Sequence, residues 1–155
     1  MKKYLLSFLT CVSALFLSSC GDVYKTEIVK EGVDIFTDYV TAAPDGWVYF
    51  GNEGELGCLM YQDFEFPEIT NKVMDKGLVT VYFCTKEQEG NAFVDRDHPL
   101  PYVFTVENEH HQIITQNIRY SVEQGFLRVI VEWSDSRTYL QNSMQFKVCI
   151  MYPGN

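Results

Sequence analysis

Basic residues are scarce in this chain: 12 Lys and Arg face 21 Asp and Glu over 155 residues, a formal net charge of −9. A surface that acidic repels phosphate backbones and anionic lipid headgroups, which argues against nucleic-acid binding and against membrane docking through a polybasic patch. Cys-x-x-Cys is absent, so zinc ribbons and thioredoxin-type redox sites are not expected. Gly-x-Ser-x-Gly, His-Glu-x-x-His and the Asp-rich calcium loop are absent too, which removes the common signatures of serine hydrolases, zinc proteases and EF-hands. Heptads, internal repeats and low-complexity segments are also lacking.

What the chain does carry begins at its first residues. Met1-Lys2-Lys3 precedes an apolar-rich run from Tyr4 to Leu17, followed by Ser18-Ser19-Cys20-Gly21. A basic start, a short apolar segment and small residues before a break read as a secretory signal, and the run is too short for the roughly 20 residues of a transmembrane helix. Leu17-Ser18-Ser19-Cys20 has the form of a lipobox, with Cys20 as the lipidated residue and residues 1–19 as the removed signal. The signal holds two of the basic residues and no acid, so the processed chain would carry a net charge of −11. Lipid on Cys20 would supply membrane attachment, because two or three acyl chains hold where one is marginal. The expected location is the cell envelope, with Gly21 at the position after the cysteine agreeing with the outer membrane, facing either the periplasm or the exterior.

Downstream of a short tether, residues 20–33, a single domain is expected over residues 34–155. Its signals are β-branched and aromatic runs of period two, separated by Gly, Pro, Asn and Asp clusters. Strands are predicted over Tyr24 to Val29, Ile35 to Ala42, Trp47 to Phe50, Leu56 to Phe66, Leu78 to Cys84, Tyr102 to Val106, Gln112 to Val122, Phe126 to Trp133 and Met144 to Tyr152. Parity places Leu127, Val129, Val131 and Trp133 toward the core and leaves Phe126, Arg128, Ile130 and Glu132 at least partly wet. Glu123-Gln124-Gly125 reads as a short hairpin loop. The one helical signal runs from Thr70, an N-cap, to Gly77, expected at C′. Together these patterns predict an all-β, two-sheet sandwich of immunoglobulin-like character with one short helical turn.

Phe66-Pro67-Glu68-Ile69-Thr70, the run Val73-Met74-Asp75-Lys76-Gly77-Leu78-Val79-Thr80-Val81-Tyr82 and Leu100-Pro101-Tyr102 resemble a pattern recurring in small lipoproteins of Bacteroidetes. The resemblance covers about the middle half of the processed chain and implies a compact β-sandwich behind the lipobox, with no particular activity. The acidic insert Gly51-Asn52-Glu53-Gly54-Glu55 and a longer loop from Thr85 to Pro99 depart from that pattern. Function that varies among such proteins is expected in loops of this kind.

Candidate chemistry is sparse. His98 follows Asp95-Arg96-Asp97 and His110-His111 follows Glu107-Asn108-Glu109, but an intervening strand separates the two groups, and solvated loops are expected rather than a metal site. No cofactor is expected. Asp63 and Glu65 share one strand face and could in principle work as a carboxylate pair on a glycosidic bond, although the wet face of a half-buried strand is the simpler account. Cys58, Cys84 and Cys149 would form either one disulfide or three structural thiols. Aromatics are the best lead, since 10 Tyr, 11 Phe and 2 Trp offer flat faces that stack on sugar rings or peptide side chains. Trp47 and Tyr49 share parity after Pro44-Asp45-Gly46 and, with Tyr139, are the candidate ligand-binding residues; core packing of Trp47 and Tyr49 is the competing account. Tyr82, Phe83, Phe104 and Trp133 are assigned to the core. The expectation is a non-catalytic envelope module binding a glycan, a peptide or an envelope protein, with a structural accessory of an envelope assembly as the alternative and a hydrolase third.

Overall fold

The computed structural model describes residues 32–107, 110–136 and 142–154. Cys20, the signal segment, the strand expected over Tyr24 to Val29 and Tyr139 lie outside the described residues. Residues 31–155 form one compact unit, and its described part is the expected all-β sandwich of two antiparallel sheets. The strands are β1 (Val33–Ala42), β2 (Val48–Phe50), β3 (Leu59–Glu65), β4 (Leu78–Glu89), β5 (Ala92–Pro99), β6 (Tyr102–Glu107), β7 (Ile113–Glu123), β8 (Phe126–Trp133) and β9 (Met144–Pro153), with one helix, α1 (Asn71–Lys76). A 3-10 turn at Pro44–Gly46 joins β1 to β2. One sheet has the order β1-β9-β4-β5, the other β2-β3-β8-β7-β6.

Period-two alternation produces the core. Met144, Phe146, Val148 and Ile150 of β9 are buried between β1 and β4, and they meet Leu127, Val129 and Val131 of β8, with Met60 of β3 and Ile118 of β7, in one cluster. Side chains that point inward from two facing sheets interdigitate because each sheet has only one apolar face to hide. Tyr120 ties the layers together: its hydroxyl donates to the Val79 carbonyl oxygen at 2.9 Å, and burial raises its pKa.

Three expectations need correcting. The stretch from Thr85 to Pro99 is not a loop: β4 continues to Glu89, turns at Gly90-Asn91, and returns as β5 with Glu89 opposite Ala92. Gly90 has φ +62°, so its lack of a side chain permits the two-residue turn. Ile130 is buried although its parity points away from the core; its cross-strand neighbours are Tyr61 and Arg119, long side chains whose stems cover apolar surface. Tyr82 also lies on an outer face, in register with Lys147 and Pro99, with the Lys147 ammonium 5.7 Å from its ring centroid. Phe83, Phe104 and Trp133 do pack against the core as expected.

Helix α1 starts where the sequence places it, with Thr70 Oγ1 accepting from the Val73 N–H at 3.4 Å. Its end differs in kind. Gly77 has φ −102°, extended rather than left-handed, so a positive φ is not why glycine stands there. Space is the reason: a Cβ at Gly77 would lie 2.6 Å from the Met151 carbonyl oxygen and 2.8 Å from that of Val73. Both are backbone atoms of packed elements and cannot move independently. Gly77→Ala is expected to cost on the order of 3 kcal/mol, the upper range of overpacking, read as a lowered urea midpoint at unchanged slope.

Candidate functional site

The outer face of the five-stranded sheet concentrates the polar and aromatic chemistry of the described domain. Its frame is the β7–β8 hairpin, closed by Gln124-Gly125 with Gly125 at φ +79°, which sets Glu123 directly opposite Phe126. The turn is strapped down: Phe66 N–H donates to the Gly125 carbonyl and Gly125 N–H to that of Ile69, both at 2.8 Å. On the other side of β8, Glu65 of β3 pairs with Phe126. Phe126 therefore stands between two glutamates across three strands, 49 % exposed. The Glu123 carboxylate adds its charge to that of Asp63 at the nearby Arg128 guanidinium.

The next row is Asp63, Arg128 and Ser121. Arg128 grips Asp63 through two parallel bonds, Nε to Oδ1 at 2.6 Å and Nη2 to Oδ2 at 2.7 Å, while its guanidinium carbon lies 4.1 Å from the Tyr61 ring centroid. This bidentate bond is the main reason the Asp63 carboxyl titrates below its ordinary value. A carboxyl held ionised in this way is poorly suited to act as the acid of a glycosidase pair with Glu65, which requires a raised pKa. Asp63, Ser121, Glu123, Phe126 and Arg128 together line a shallow recess of about 240 Å³.

A second recess, of about 400 Å³, opens where β7 and β8 meet the loop between β2 and β3. Gly51, Gly54 and Gly57 all have positive φ in this loop, conformations that favour glycine, and Gly54 N–H donates to the Ser136 carbonyl at 2.9 Å. Asn117, Glu132, Trp133, Ser134 and Cys58 are among its lining residues. Glu132 accepts from Arg119 at 2.7 Å and from Asn117 at 3.4 Å. The acidic insert expected to carry function thus borders a recess, whereas the Thr85 to Pro99 stretch is sheet.

The candidate aromatics part company. Trp47 is 5 % exposed and belongs to the core cluster, so it is not the exposed anchor expected of a ligand-binding residue. Tyr49 is half-exposed on the edge strand β2, opposite Met60, and lines neither recess. Their shared parity failed as a guide because Trp47 precedes β2, after the 3-10 turn, and is not part of its alternation. Phe126 was legible only as a wet-face residue; its place between Glu65 and Glu123 depends on pairing with two other strands.

The histidines do not converge. His98 on β5 lies 2.9 Å from Thr85 Oγ1, 3.3 Å from Glu87 and stacks on Tyr102 at 4.3 Å between centroids, while His111 contacts Glu107 beyond β6. Among the described residues no group of three or more His, Cys, Asp or Glu is arranged to hold a metal ion.

The three cysteines are free. Cys84 and Cys149 share the outer face of the four-stranded sheet, but Cys84 is in register with Gln145, four residues from Cys149, a separation of about 13 Å that no disulfide spans. Burial, and then the neighbouring Asp97 carboxylate, push the Cys84 thiol up to about 11. Asp97 is itself held by the Lys147 ammonium at 2.8 Å. Iodoacetamide at pH 8 is expected to alkylate Cys84 about 100-fold more slowly than an ordinary peptide thiol, since the thiolate is the nucleophile. Mass spectrometry of labelled peptides measures this, and rapid labelling at Cys84 contradicts it. The unfolded thiol loses its proton near 9 and the folded one near 11, so stability falls as pH rises between those values.

No family model matches the chain, nor does any curated protein or solved structure.

Proposed function

We propose that this chain is a lipid-anchored protein of the cell envelope, held at the outer membrane through Cys20, and that it binds a ligand or partner through the outer face of its five-stranded sheet without catalysing a reaction. The observation that carries the reading is Phe126, a half-exposed ring flanked by Glu65 and Glu123 on adjacent strands, beside a recess formed with Ser121 and the Asp63–Arg128 pair. An aromatic face with carboxylates and a guanidinium at its edge can stack on a sugar ring or an apolar side chain while hydrogen-bonding its polar substituents. A glycan, a peptide or an envelope protein satisfies that chemistry. Nucleic acid does not, given the net charge of −9.

The test is Phe126→Ala, screened beside the unaltered protein on glycan and peptide arrays. The variant is expected to keep its melting temperature within a few degrees and to lose about 2 kcal/mol of binding, near 30-fold in Kd. Equal binding by both proteins would remove this face from consideration.

A further inference from the structure

One end of the outer face of the other sheet has the opposite character. Across β1, β9 and β4, Ile35, Met151 and Leu78 stand in one row; Val33 and Pro153 pair on one side of it, and Thr37, Cys149 and Thr80 form the row on the other. These three rows contain no charged residue, in a chain whose net charge is −9. Val33, Ile35 and Leu78 are 63 %, 68 % and 55 % exposed. The first charge on the face is Lys147, one row further along, where it meets the Asp97 carboxylate.

We propose that this uncharged patch rests on the lipid surface to which the protein is anchored, an inference that depends on acylation of Cys20. Three observations select lipid over other occupants. The patch includes Val33, the first residue of β1 and so the described strand end that is nearest to Cys20 in the sequence. The thirteen residue steps from Cys20 to Val33 span at most about 45 Å, which keeps the bilayer at high effective concentration whatever else is dilute. The patch also offers aliphatic side chains with no charge to desolvate, the composition that settles at the boundary of headgroups and acyl chains. A second copy adding along the edge of β1, which no other described strand covers, would instead bring up the exposed carboxylates Asp34 and Asp38, which oppose edge pairing. With this face down, Phe126 and the recesses of the opposite sheet point away from the membrane.

The experiment uses the processed, acylated protein in vesicles of phosphatidylethanolamine and phosphatidylglycerol containing a diazirine-bearing phospholipid, with adducts mapped by mass spectrometry after illumination. Adducts are expected on Val33, Ile35, Leu78 and Met151, roughly tenfold above those on Phe50 and Phe126, exposed rings of the other sheet. The double variant Ile35→Asp, Leu78→Asp changes only exposed side chains, should keep its melting temperature, and should lose about nine-tenths of the adducts on this face. Adducts spread equally over Phe50 and Phe126, or unchanged in the double variant, overturn the inference. So does labelling absent from this face while Cys20 carries its acyl chains, and that result leaves the anchoring intact. A Cys20 without acyl chains overturns the anchoring and this inference together.

Discussion

Replacing Trp47 with alanine should cost the domain about 3–5 kcal/mol and lower its melting temperature by roughly 10–20 °C. The indole is 5 % exposed and packs in the cluster that joins both sheets, so its removal leaves a cavity walled by residues already fixed on paired strands. The chain reaches that position through the Pro44–Gly46 turn, where Gly46 lies against the Gln62 amide so closely that a Cβ would approach Nε2 to 2.7 Å. Trp47 Nε1 is buried and has no hydrogen-bond partner among the described residues, so Trp47→Phe forfeits volume but no polar contact with them and should be the milder change. Thermal melts of the three proteins measure both effects. A Trp47→Ala protein that melted like the unaltered one while losing ligand binding would return Trp47 to the binding site and contradict the packing described above.

Cys20→Ala should abolish fatty-acid labelling completely and leave a precursor that is not cleaved. Acylation needs the thiol, and signal peptidase II cuts before an acylated cysteine, so in the proposed processing of Leu17-Ser18-Ser19-Cys20 the Cys20 sulfur would control both steps. Metabolic labelling with a radioactive or alkyne-bearing fatty acid, read beside the mobility of the precursor, gives the result. Labelling that persists in the variant would remove the anchor, the proposed location and the membrane-facing surface together. The folded domain would be untouched by that outcome, since every described strand lies between Val33 and Pro153.

Local pattern was enough for the class of fold and for several of its parts. Met144, Phe146, Val148 and Ile150 alternate with Gln145, Lys147 and Cys149, and all four are buried, because in an extended chain the face a residue shows is set by parity alone. Thr70 as a cap and Gly125 in a hairpin were legible for the same reason: each acts on atoms within a few residues of itself. The Gly90-Asn91 turn carries a hairpin signal of equal quality, but the charged run Asp95-Arg96-Asp97 has the composition of a loop; in the sheet Arg96 is paired with Glu87 and Glu89, and Asp97 with Lys147.

What the tertiary structure alone decided are matters of which strand lies beside which. Gly77 is needed because the Met151 backbone, 74 residues away, passes within reach of its Cα hydrogens. Trp47 and Tyr49 have the same parity and opposite fates, since one is enclosed by the second sheet and the other hangs on an edge. Phe126 becomes a candidate anchor through Glu65 and Glu123, and Val33, Ile35, Leu78 and Met151 become one surface through β9. Alternation along a strand is written in neighbouring residues and is therefore visible in the sequence. Register between strands distant in the chain is settled by the packing of the whole core, so the sites that depend on it become visible only when the sheets are assembled.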